Sequence, residues 1–439
     1  MRRPRMISRQ RAMKLASGFA NIWWSWSMSE WGEEPLNQLA DFQKGRKVDT
    51  SEEPLEGYRP YLGAGSLVGK SDGFGSGIGA VTASDTDVLM LWDGERSGLV
   101  GLGRPGIVSS TVMKLSPSAR IDVTFLYYFL ALSFDWVQNR RTGTGVPHVP
   151  KDLGKILRVK YPKDPDHQKK IADILETVDE AIEQTEALIA KYKQIKAGMM
   201  QDLFTRGLKP DGKLRPPRED APHLYQETPI GWIPKDWEFK SLRSVILKID
   251  SGWSPDCIER TPTEGEWGVL KVSAVTRGAF DPKESKTLPD HLPPKPSLEV
   301  RQGDVVLTRA NGVAELVGKC VQVKKTPSKL MLSDKLLRLV PDEDMISKEF
   351  LAMVMSSEVV LRQIDKVLSG SSGQRNISQS QIFGFCAGRP RKVEQSEIAL
   401  RIEAVESSLV DLKSELQKLR QQKAGLMADL LTGKTPVKV

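Results

Sequence analysis

Residues 168–205 read QKKIADILETVDEAIEQTEALIAKYKQIKAGMMQDLFT, and residues 395–432 repeat the pattern as QSEIALRIEAVESSLVDLKSELQKLRQQKAGLMADLLT. The two stretches align without a gap at an offset of 227 positions. Apolar residues recur in both at alternating steps of four and three, a heptad seam typical of helices that wind on a partner helix. The predicted seams consist of Ile171, Leu175, Val178, Ile182, Thr185, Ile189, Tyr192, Lys196, Met199 and Leu203 in the first copy and of Ile398, Ile402, Val405, Leu409, Leu412, Leu416, Leu419, Lys423, Leu426 and Leu430 in the second.

Both predicted helices carry boundary signals and a lysine in the seam. Pro165 suits the first turn of the first helix, and Gly207 and Gly433 suit left-handed residues just beyond the two helix ends. A helix of roughly 39 residues would be about 58 Å long. Lys196 and Lys423 occupy the same seam position, where a charged residue weakens packing but fixes the register of the two helices.

Length, charge and cysteine content restrict the class of protein. A chain of 439 residues predicts two or three domains. The net charge of +8 favours a polyanionic partner such as nucleic acid. Cys257, Cys320 and Cys386 are too far apart for a disulfide framework or a zinc site, so we expect a cytoplasmic protein. No apolar run reaches the roughly 18 residues that a membrane span requires, so none is predicted.

Short apolar runs and glycine-rich turns alternate on both sides of the first helix, which predicts two globular units. The complete division is a leader at 1–27, a first globular unit at 28–163, a helix at 164–207, a linker at 208–229, a second globular unit at 230–390, a helix at 391–433 and a tail at 434–439. We expect the leader, which is rich in arginine and tryptophan, to be disordered or an upstream extension of the true start. A basic arm that touches nucleic acid is the alternative, and a secretory signal is disfavoured because the leader lacks a clean apolar core.

Two pairs of runs indicate that the globular units are copies of each other. Residues 87–101 read DVLMLWDGERSGLVG and residues 304–318 read DVVLTRANGVAELVG, in each case a strand pattern, a polar turn and a final glycine. Residues 143–148, GTGVPH, correspond to residues 371–376, SSGQRN. The sequence therefore predicts a tandem duplication in which a globular unit and a long helix each occur twice.

The repeated helices predict the fold. Each has one apolar seam that needs a mate, and the nearest candidate is the other copy in the same chain. We expect an α+β protein in which two α/β domains are joined by two long helices that form an antiparallel intramolecular coiled coil with pseudo-two-fold symmetry. Such a chain would suit an asymmetric DNA site in two parts, with a separation of at most about 17 base pairs.

No catalytic centre is predicted. Residues 64–71, AGSLVGKS, and 428–435, ADLLTGKT, match a phosphate-binding loop only partly, because neither is placed to begin a helix. The sequence contains no Asn-Pro-Pro-aromatic methyltransferase tetrad. Its four histidines are scattered and make no metal-ligand set. We therefore expect binding surfaces in this chain, with neither a catalytic residue nor a metal site.

Several of these motifs resemble the DNA specificity subunits of type I restriction–modification systems. The resemblance extends over residues 30–433 and rests on KAGMM (196–200), KAGLM (423–427), IGWIPKDW (230–237), SGSSGQRNIS (369–378) and the runs that begin at Asp87 and Asp304. It implies that each globular unit is a target-recognition domain that reads one half of a split double-stranded DNA sequence. It also implies that the helices are spacers between these domains.

The resemblance further implies partners. Two modification (methyltransferase) subunits would dock on the helices, and restriction (endonuclease and translocase) subunits would join them. The chain itself would be non-catalytic and would hold no cofactor, since S-adenosylmethionine, ATP and magnesium would belong to the partner subunits. GVPH at 145–148 stands opposite GQRN at 373–376, a departure that argues against equivalent chemistry at the two loops. The alternative is a non-enzymatic coiled-coil scaffold that pairs two protein partners.

Polar and basic side chains in glycine-rich loops can reach phosphates or base edges, which predicts a set of DNA-binding residues in each unit. In the first unit these are Lys44, Arg46, Lys70, Arg96, Arg104, Arg140, Arg141, Thr144 and His148, and in the second they are Trp253, Arg277, Arg309, Asn311, Lys319, Gln374, Arg375 and Asn376. The alternative for each residue is a solvated surface side chain. Lys196 and Lys423 are expected to set the helix register instead of contacting DNA.

Overall fold

The computed structural model describes residues 30–143, 145–369 and 375–437, so the leader at 1–27 lies outside the described residues. The chain divides into two compact units. Unit 1 contains the residues up to Glu186 together with those from Glu415 onward, and unit 2 contains Ala187–Ser414. Each unit therefore includes part of each long helix. Among the described residues, no helix combines the length and apolar character that a membrane span needs.

Unit 1 combines short strands with helices. Its strands are β1 (Trp31–Pro35), β2 (Ala40–Lys44), β3 (Thr50–Ser51), β4 (Tyr58–Leu62), β5 (Phe74–Ser76), β6 (Thr82–Ala83), β7 (Val88–Leu91), β8 (Val100–Leu102), β9 (Gly106–Val108), β10 (Val112–Pro117) and β11 (Arg158–Pro162). Its helices are α1 (Val123–Leu132), α2 (Phe134–Gln138), α3 (Leu153–Ile156) and the first part of α4 (Pro165–Thr205), with 3-10 turns at Leu36–Gln38 and Ser66–Val68. The strands form the sheets β2-β10-β7-β8 and β3-β5-β4-β9-β6 and the pair β1-β11.

Strand β7 lies at the centre of unit 1 and is buried on both faces. Val88 and Met90 belong to the core that also contains α1, whereas Leu89 and Leu91 belong to a second apolar cluster with Val108. A strand that is covered on both sides has no solvent face, which explains why its sequence is an unbroken apolar run instead of an alternating one.

Unit 2 is built from a similar set of elements. Its strands are β12 (Tyr225–Thr228), β13 (Gly231–Pro234), β14 (Glu238–Ser241), β15 (Ile246–Ser251), β16 (Gly268–Leu270), β17 (Ser285–Thr287), β18 (Val305–Thr308), β19 (Cys320–Gln322), β20 (Leu330–Met331), β21 (Leu336–Pro341) and β22 (Cys386–Arg389). Its helices are the second part of α4, α5 (Ser273–Thr276), α6 (Lys348–Met355), α7 (Glu358–Ser369), α8 (Gln379–Gly384) and the first part of α9 (Lys392–Leu430), with 3-10 turns at Pro222–Leu224, Leu242–Ser244, Pro296–Leu298 and Ala314–Leu316. The strands form the sheets β15-β21-β18-β19 and β17-β16-β20 and the pairs β12-β13 and β14-β22.

The two units share a topology, which confirms the predicted duplication. The sheets β2-β10-β7-β8 and β15-β21-β18-β19 have the same strand order by correspondence, and β1-β11 corresponds to β14-β22. Met90 pairs with Val100 in unit 1, and Leu307, at the equivalent position of the repeated run, pairs with Cys320 in unit 2. The turn between these two strands is therefore three residues longer in unit 2.

In unit 1 the two long helices run antiparallel and face each other with their predicted seams. Lys423 of α9 forms an ion pair with Asp179 of α4 at 2.6 Å, and Arg420 pairs with Glu186 at 2.6 Å. The residue number rises along α4 as its partner's number falls along α9, which defines an antiparallel pairing. Every seam residue predicted for these two helix segments is buried or half-buried.

The helix segments in unit 2 also run antiparallel. The ammonium group of Lys196 lies 2.7 Å from the Glu406 carboxylate, and Leu203 shares a buried core with Ile398. All predicted seam residues in this unit are again buried or half-buried. The antiparallel intramolecular coiled coil predicted from the two seams is confirmed.

The duplication produces the same lysine–carboxylate contact twice. Asp179 and Glu406 are equivalent positions of the two repeats, as are Lys196 and Lys423. Each seam lysine therefore meets the carboxylate of the other repeat, at 2.6 Å in unit 1 and 2.7 Å in unit 2. That these lysines set the register stays a prediction, to which the structure adds a contact partner for each.

A buried glutamine joins the start of α4 to the globular part of unit 1 by hydrogen bonds. Gln168 is 0% exposed, and its Oε1 accepts a hydrogen bond from the Asp122 backbone N–H at 2.7 Å. Its Nε2 donates to the carbonyl oxygens of Pro162 at 2.7 Å and Arg120 at 3.0 Å. Asp122 in turn caps α1 by accepting from the Phe125 N–H at 2.8 Å. The glutamine therefore links the first turn of α4 to the first turn of α1.

Gln395 is the equivalent residue of the second repeat and makes the corresponding contacts in unit 2. It is 1% exposed, and its Oε1 accepts from the Ser347 N–H at 3.2 Å. Its Nε2 donates to the carbonyl oxygens of Pro390 and Met345, both at 3.0 Å. Ser347 caps α6 by accepting from the Phe350 N–H at 3.1 Å. Each domain is thus joined to a long helix by three hydrogen bonds of one buried side chain.

The segment at 208–229, predicted as a linker over the surface, is part of unit 2 and contains a buried arginine. Arg215 is 5% exposed and donates to Glu394 and Asp236, each at 2.7 Å. Burial alone would lower the pKa of Arg215, but its hydrogen bonds with Glu394 and Asp236 raise the pKa above its usual value. Sequence patterns did not reveal this burial, because an arginine between loop prolines gives no sign of distant carboxylates.

We expect Gln168→Ala and Gln395→Ala each to lower the free energy of unfolding by about 2–4 kcal/mol, because each removes the partners of three main-chain groups at a buried site. Urea unfolding followed by circular dichroism measures the change. Gln184→Ala is the matched control, since Gln184 is exposed on α4, and it should cost less than about 0.5 kcal/mol. Equal losses in the three variants would contradict the role assigned to the buried glutamines.

Candidate nucleic-acid interface

Three segments of unit 1 meet where β7 ends and β10 begins, and we call this region junction 1. The Trp92 N–H donates to the carbonyl of Thr111 at 2.8 Å. The Gly94 N–H donates to the carbonyl of Pro147 at 2.8 Å, and the Val149 N–H donates to that of Trp92 at 2.9 Å. The turn after β7, the residue before β10 and the loop that leads to α3 are therefore joined through their backbones.

The same region of unit 2, junction 2, contains the equivalent backbone hydrogen bonds. Arg309 N–H donates to the carbonyl of Lys335 at 2.8 Å, Asn311 N–H to that of Arg375 at 3.4 Å, and Ile377 N–H to that of Arg309 at 3.0 Å. Within unit 1 the run that begins at Asp87 thus contacts the loop that carries His148. Within unit 2 the run that begins at Asp304 contacts the loop that carries Asn376. These contacts were not predicted from the sequence.

A glycine brings a further segment against each junction. A Cβ atom at Gly45 would lie 2.1 Å from the carbonyl oxygen of Ser109, and one at Gly252 would lie 2.3 Å from carbonyl oxygens in the corresponding turn of unit 2. Only glycine allows such an approach of two backbones. Arg46 and Trp253, both predicted DNA-binding residues, are the residues that follow these glycines.

Junction 1 contains a cluster of three charged or polar side chains. The carboxylate of Asp93 lies 2.8 Å from the ammonium group of Lys44 and 2.7 Å from Nδ1 of His148. Burial alone would raise the pKa of the Asp93 carboxyl, but the hydrogen bonds from Lys44 and His148 outweigh burial and hold the pKa below its usual value. Two predicted DNA-binding residues are thus held side by side by one carboxylate.

In each junction an arginine side chain donates a hydrogen bond to the backbone of the turn that follows β7 or β18. Arg141 donates to the carbonyl oxygen of Glu95 at 2.6 Å and to that of Gln138 at 2.9 Å. Arg375 donates to the carbonyl oxygen of Gly312 at 2.6 Å, and Gly312 is the position equivalent to Glu95 in the repeated run. Both arginines were predicted to bind DNA, and the structure gives each at least one hydrogen bond to the backbone of its own unit.

Several other predicted residues lie on or next to the junctions. Arg96 is exposed in the turn after β7, and Arg140 stacks on the Trp136 ring at 4.0 Å. In unit 2, Asn311 accepts a hydrogen bond from the Val313 N–H at 3.0 Å. Asn376 forms a backbone bridge with Ala310, as His148 does with Asp93.

The structure does not bring all predicted residues into the junctions. Lys70 follows the turn at Gly69, Arg104 lies between β8 and β9, Arg277 pairs with Glu284 at 3.3 Å, and the carbonyl of Lys319 accepts from the Thr308 N–H at 2.8 Å. Thr144 and Gln374 lie outside the described residues.

Asp93, Thr111 and Lys335 belong to the junctions but were not predicted from the sequence. Only their contacts with distant segments identify them, and the sequence does not show those contacts. In the part of the chain that the structure describes, histidine, cysteine and acidic side chains form no group of three that could hold a metal ion.

Comparison with known proteins finds similarities in both sequence and fold. A family model described as the type I restriction modification DNA specificity domain matches residues 28–194. The type I restriction enzyme MjaVIII specificity subunit of Methanocaldococcus jannaschii is 30% identical over 421 residues, which cover 93% of this chain and 94% of that protein. The EcoEI specificity subunit of Escherichia coli is 35% identical over 224 residues, which cover 51% of this chain and 37% of that protein.

Solved structures resemble the fold. The crystal structure of the S subunit of a type I restriction–modification system from M. genitalium has a TM-score of 0.58 at 15% identity and covers 93% of this chain and 97% of its own. A chain from a structure on complex assembly and conformational transition of the type I R-M system has a TM-score of 0.51 at 16% identity and covers 92% and 97%. At these identities the likeness concerns the fold alone.

We expect Gly45→Ala to lower the free energy of unfolding by about 1–3 kcal/mol, because the new methyl group would overlap a backbone carbonyl that cannot move without disturbing β10. Thermal unfolding of the full chain measures the loss. Gly145→Ala is the control, since a Cβ there would meet nothing within 4 Å. A Gly45→Ala protein as stable as Gly145→Ala would show that the close approach at Gly45 is unimportant.

Proposed function

Because the chain belongs to the family of type I restriction enzyme specificity subunits, we propose that it reads a split, asymmetric DNA sequence through junctions 1 and 2. The observation that carries this proposal is one backbone junction that occurs twice with unlike side chains. Unit 1 places Lys44 and His148 at its junction, whereas unit 2 places Arg309 and Arg375 there. Two copies of one scaffold with different polar groups would recognise two different base sequences.

The chemistry of the junction side chains suits a nucleic acid. Arginine and lysine bind phosphate oxygens and the guanine edge, and asparagine fits the adenine edge. Arg375 and Asn311 lie together in junction 2, where the backbones of the two residues are hydrogen-bonded. The net charge of +8 would favour association with DNA before the specific contacts form.

We propose that α4 and α9 carry two modification subunits, which restriction subunits join in the cytoplasm. The seams of the two helices pack against each other, so partners would bind the outward faces. In unit 2 those faces include the exposed apolar residues Leu188, Val393 and Leu400. S-adenosylmethionine, ATP and magnesium would be held by the partner subunits, and this chain would contribute specificity without catalysis.

Selection from random double-stranded DNA tests the proposal. The full chain assembled with its modification subunits should select two short constant sequences separated by a spacer of constant length. Affinity for that DNA should fall steeply as salt rises, because each neutralised phosphate releases counterions. A protein-pairing scaffold, the alternative function, would select no sequence, and that result would overturn the proposal.

We expect Arg375→Ala to relax the selected sequence in one half only, with a loss of discrimination of about 1–3 kcal/mol at one or two positions. Repeating the selection with the variant measures this change. Arg362→Ala is the matched control, since Arg362 is an exposed arginine of the same unit that pairs with Glu358 on α7. A loss spread evenly over both halves, or one that Arg362→Ala reproduces, would contradict reading by separate junctions.

A further inference from the structure

Junctions 1 and 2 share a backbone but differ in the residues that bridge it. His148 and Asn376 occupy equivalent positions, and each forms a backbone bridge with the residue at one position of the turn. That residue is Asp93 in unit 1 and Ala310 in unit 2. The carboxylate at this position is therefore a property of unit 1, and unit 2 has no side chain there that could replace it.

Both oxygens of the Asp93 carboxylate are engaged. Oδ2 lies 2.8 Å from Nζ of Lys44, and Oδ1 lies 2.7 Å from Nδ1 of His148. The side chain of Asp93 is 18% exposed, whereas those of Lys44 and His148 are each 45% exposed. The acid thus lies beneath two basic side chains, and they form the surface that an approaching ligand would meet.

The backbone restricts His148 as well. The backbones of His148 and Thr142 exchange two hydrogen bonds, at 2.8 Å and 3.0 Å. With its main chain paired to Thr142 and its Nδ1 paired to Asp93, the imidazole ring has little freedom to turn. Such restraint suits a side chain that must meet one atom of a ligand.

The partner of Nδ1 determines what the other ring nitrogen can do. An ionised carboxylate only accepts hydrogen bonds, so Nδ1 of His148 carries a proton in this contact. In the neutral ring Nε2 is then a hydrogen-bond acceptor. In the major groove the donors that such an acceptor fits are the exocyclic amino groups of adenine and cytosine.

We propose that Asp93 is a positioning residue for base recognition by unit 1. It holds His148 in the tautomer whose Nε2 accepts a hydrogen bond from an adenine or cytosine amino group, and it holds Lys44 beside that base for a neighbouring phosphate. This inference rests on the proposed function and adds to it a chemical class of base for one half-site. At the equivalent positions unit 2 has Ala310 and Asn376, so no acid–histidine pair forms there.

Asp93→Asn is the decisive variant, because an asparagine amide can donate to Nδ1 as well as accept from it. Donation to Nδ1 moves the ring proton to Nε2, which then suits the keto oxygens of guanine and thymine. Selection from random DNA would compare the wild-type chain, Asp93→Asn and Asp85→Asn, each assembled with modification subunits. Asp85 is exposed in unit 1, and its replacement changes the net charge equally.

The unit 1 half-site is the one that Arg375→Ala leaves unchanged. There we expect the wild-type chain and Asp85→Asn to prefer an amino base at one position by about 10–100-fold, and Asp93→Asn to lose or reverse that preference. His148→Ala should lose the preference without reversing it, which keeps the test decisive if Asp93→Asn folds poorly. Lys44→Ala should weaken binding to all sequences about equally and lower the salt slope by about one.

The outcomes separate the two proposals. If the wild-type chain selects no split sequence, the proposed function itself fails. If it selects one, but Asp93→Asn behaves like Asp85→Asn or His148→Ala keeps the amino-base preference, the role of Asp93 is wrong while the split-site function stands. Loss of the preference in both variants, with the second half-site unchanged, supports the positioning role.

Discussion

The structure depends on the packing of two apolar seams from one chain against each other in opposite directions. Burial of a leucine or isoleucine contributes about 1.5–3 kcal/mol relative to exposure, and the seam layers together oppose the entropy lost in ordering two long helices. A lysine within such a seam is unfavourable unless its charge has a partner. Because the repeats are copies, the carboxylate at the position of Asp179 and Glu406 serves the lysine of the other repeat in both units.

Packing of the seams alone would leave each domain free to rotate relative to its long helix. Gln168 and Gln395 remove that freedom, since each engages its whole amide with the main chain at the start of a domain helix. A buried amide with three matched partners specifies direction as well as proximity, which an apolar contact does not. Within each unit, the orientation of the junction therefore follows from the orientation of a long helix.

Local patterns predicted much of this fold, and contacts between distant segments account for what they missed. The heptad seams and the left-handed Gly207 and Gly433 depend on neighbours within a few residues, and the structure has them. Charge and glycine context also selected His148 and Arg375, which lie in the junctions. The same criteria selected Lys70, which lies elsewhere, because charge does not encode position. These criteria do not select Asp93, because an acid is unexpected in a candidate DNA-binding surface and the partners of Asp93 are remote in sequence.

Crosslinking within one chain tests the antiparallel pairing most directly. The native cysteines would first be replaced by alanine, and Lys196→Cys would then be combined with Glu406→Cys. The control combines Lys196→Cys with Leu400→Cys. Leu400 is exposed on α9 and lies about 9 Å from Glu406 along the helix axis. The account predicts that a short bis-maleimide joins the two cysteines introduced at Lys196 and Glu406 rapidly within the monomer and joins the control pair slowly. Equal rates for the two pairs, or products that join two chains, would contradict the antiparallel intramolecular coiled coil.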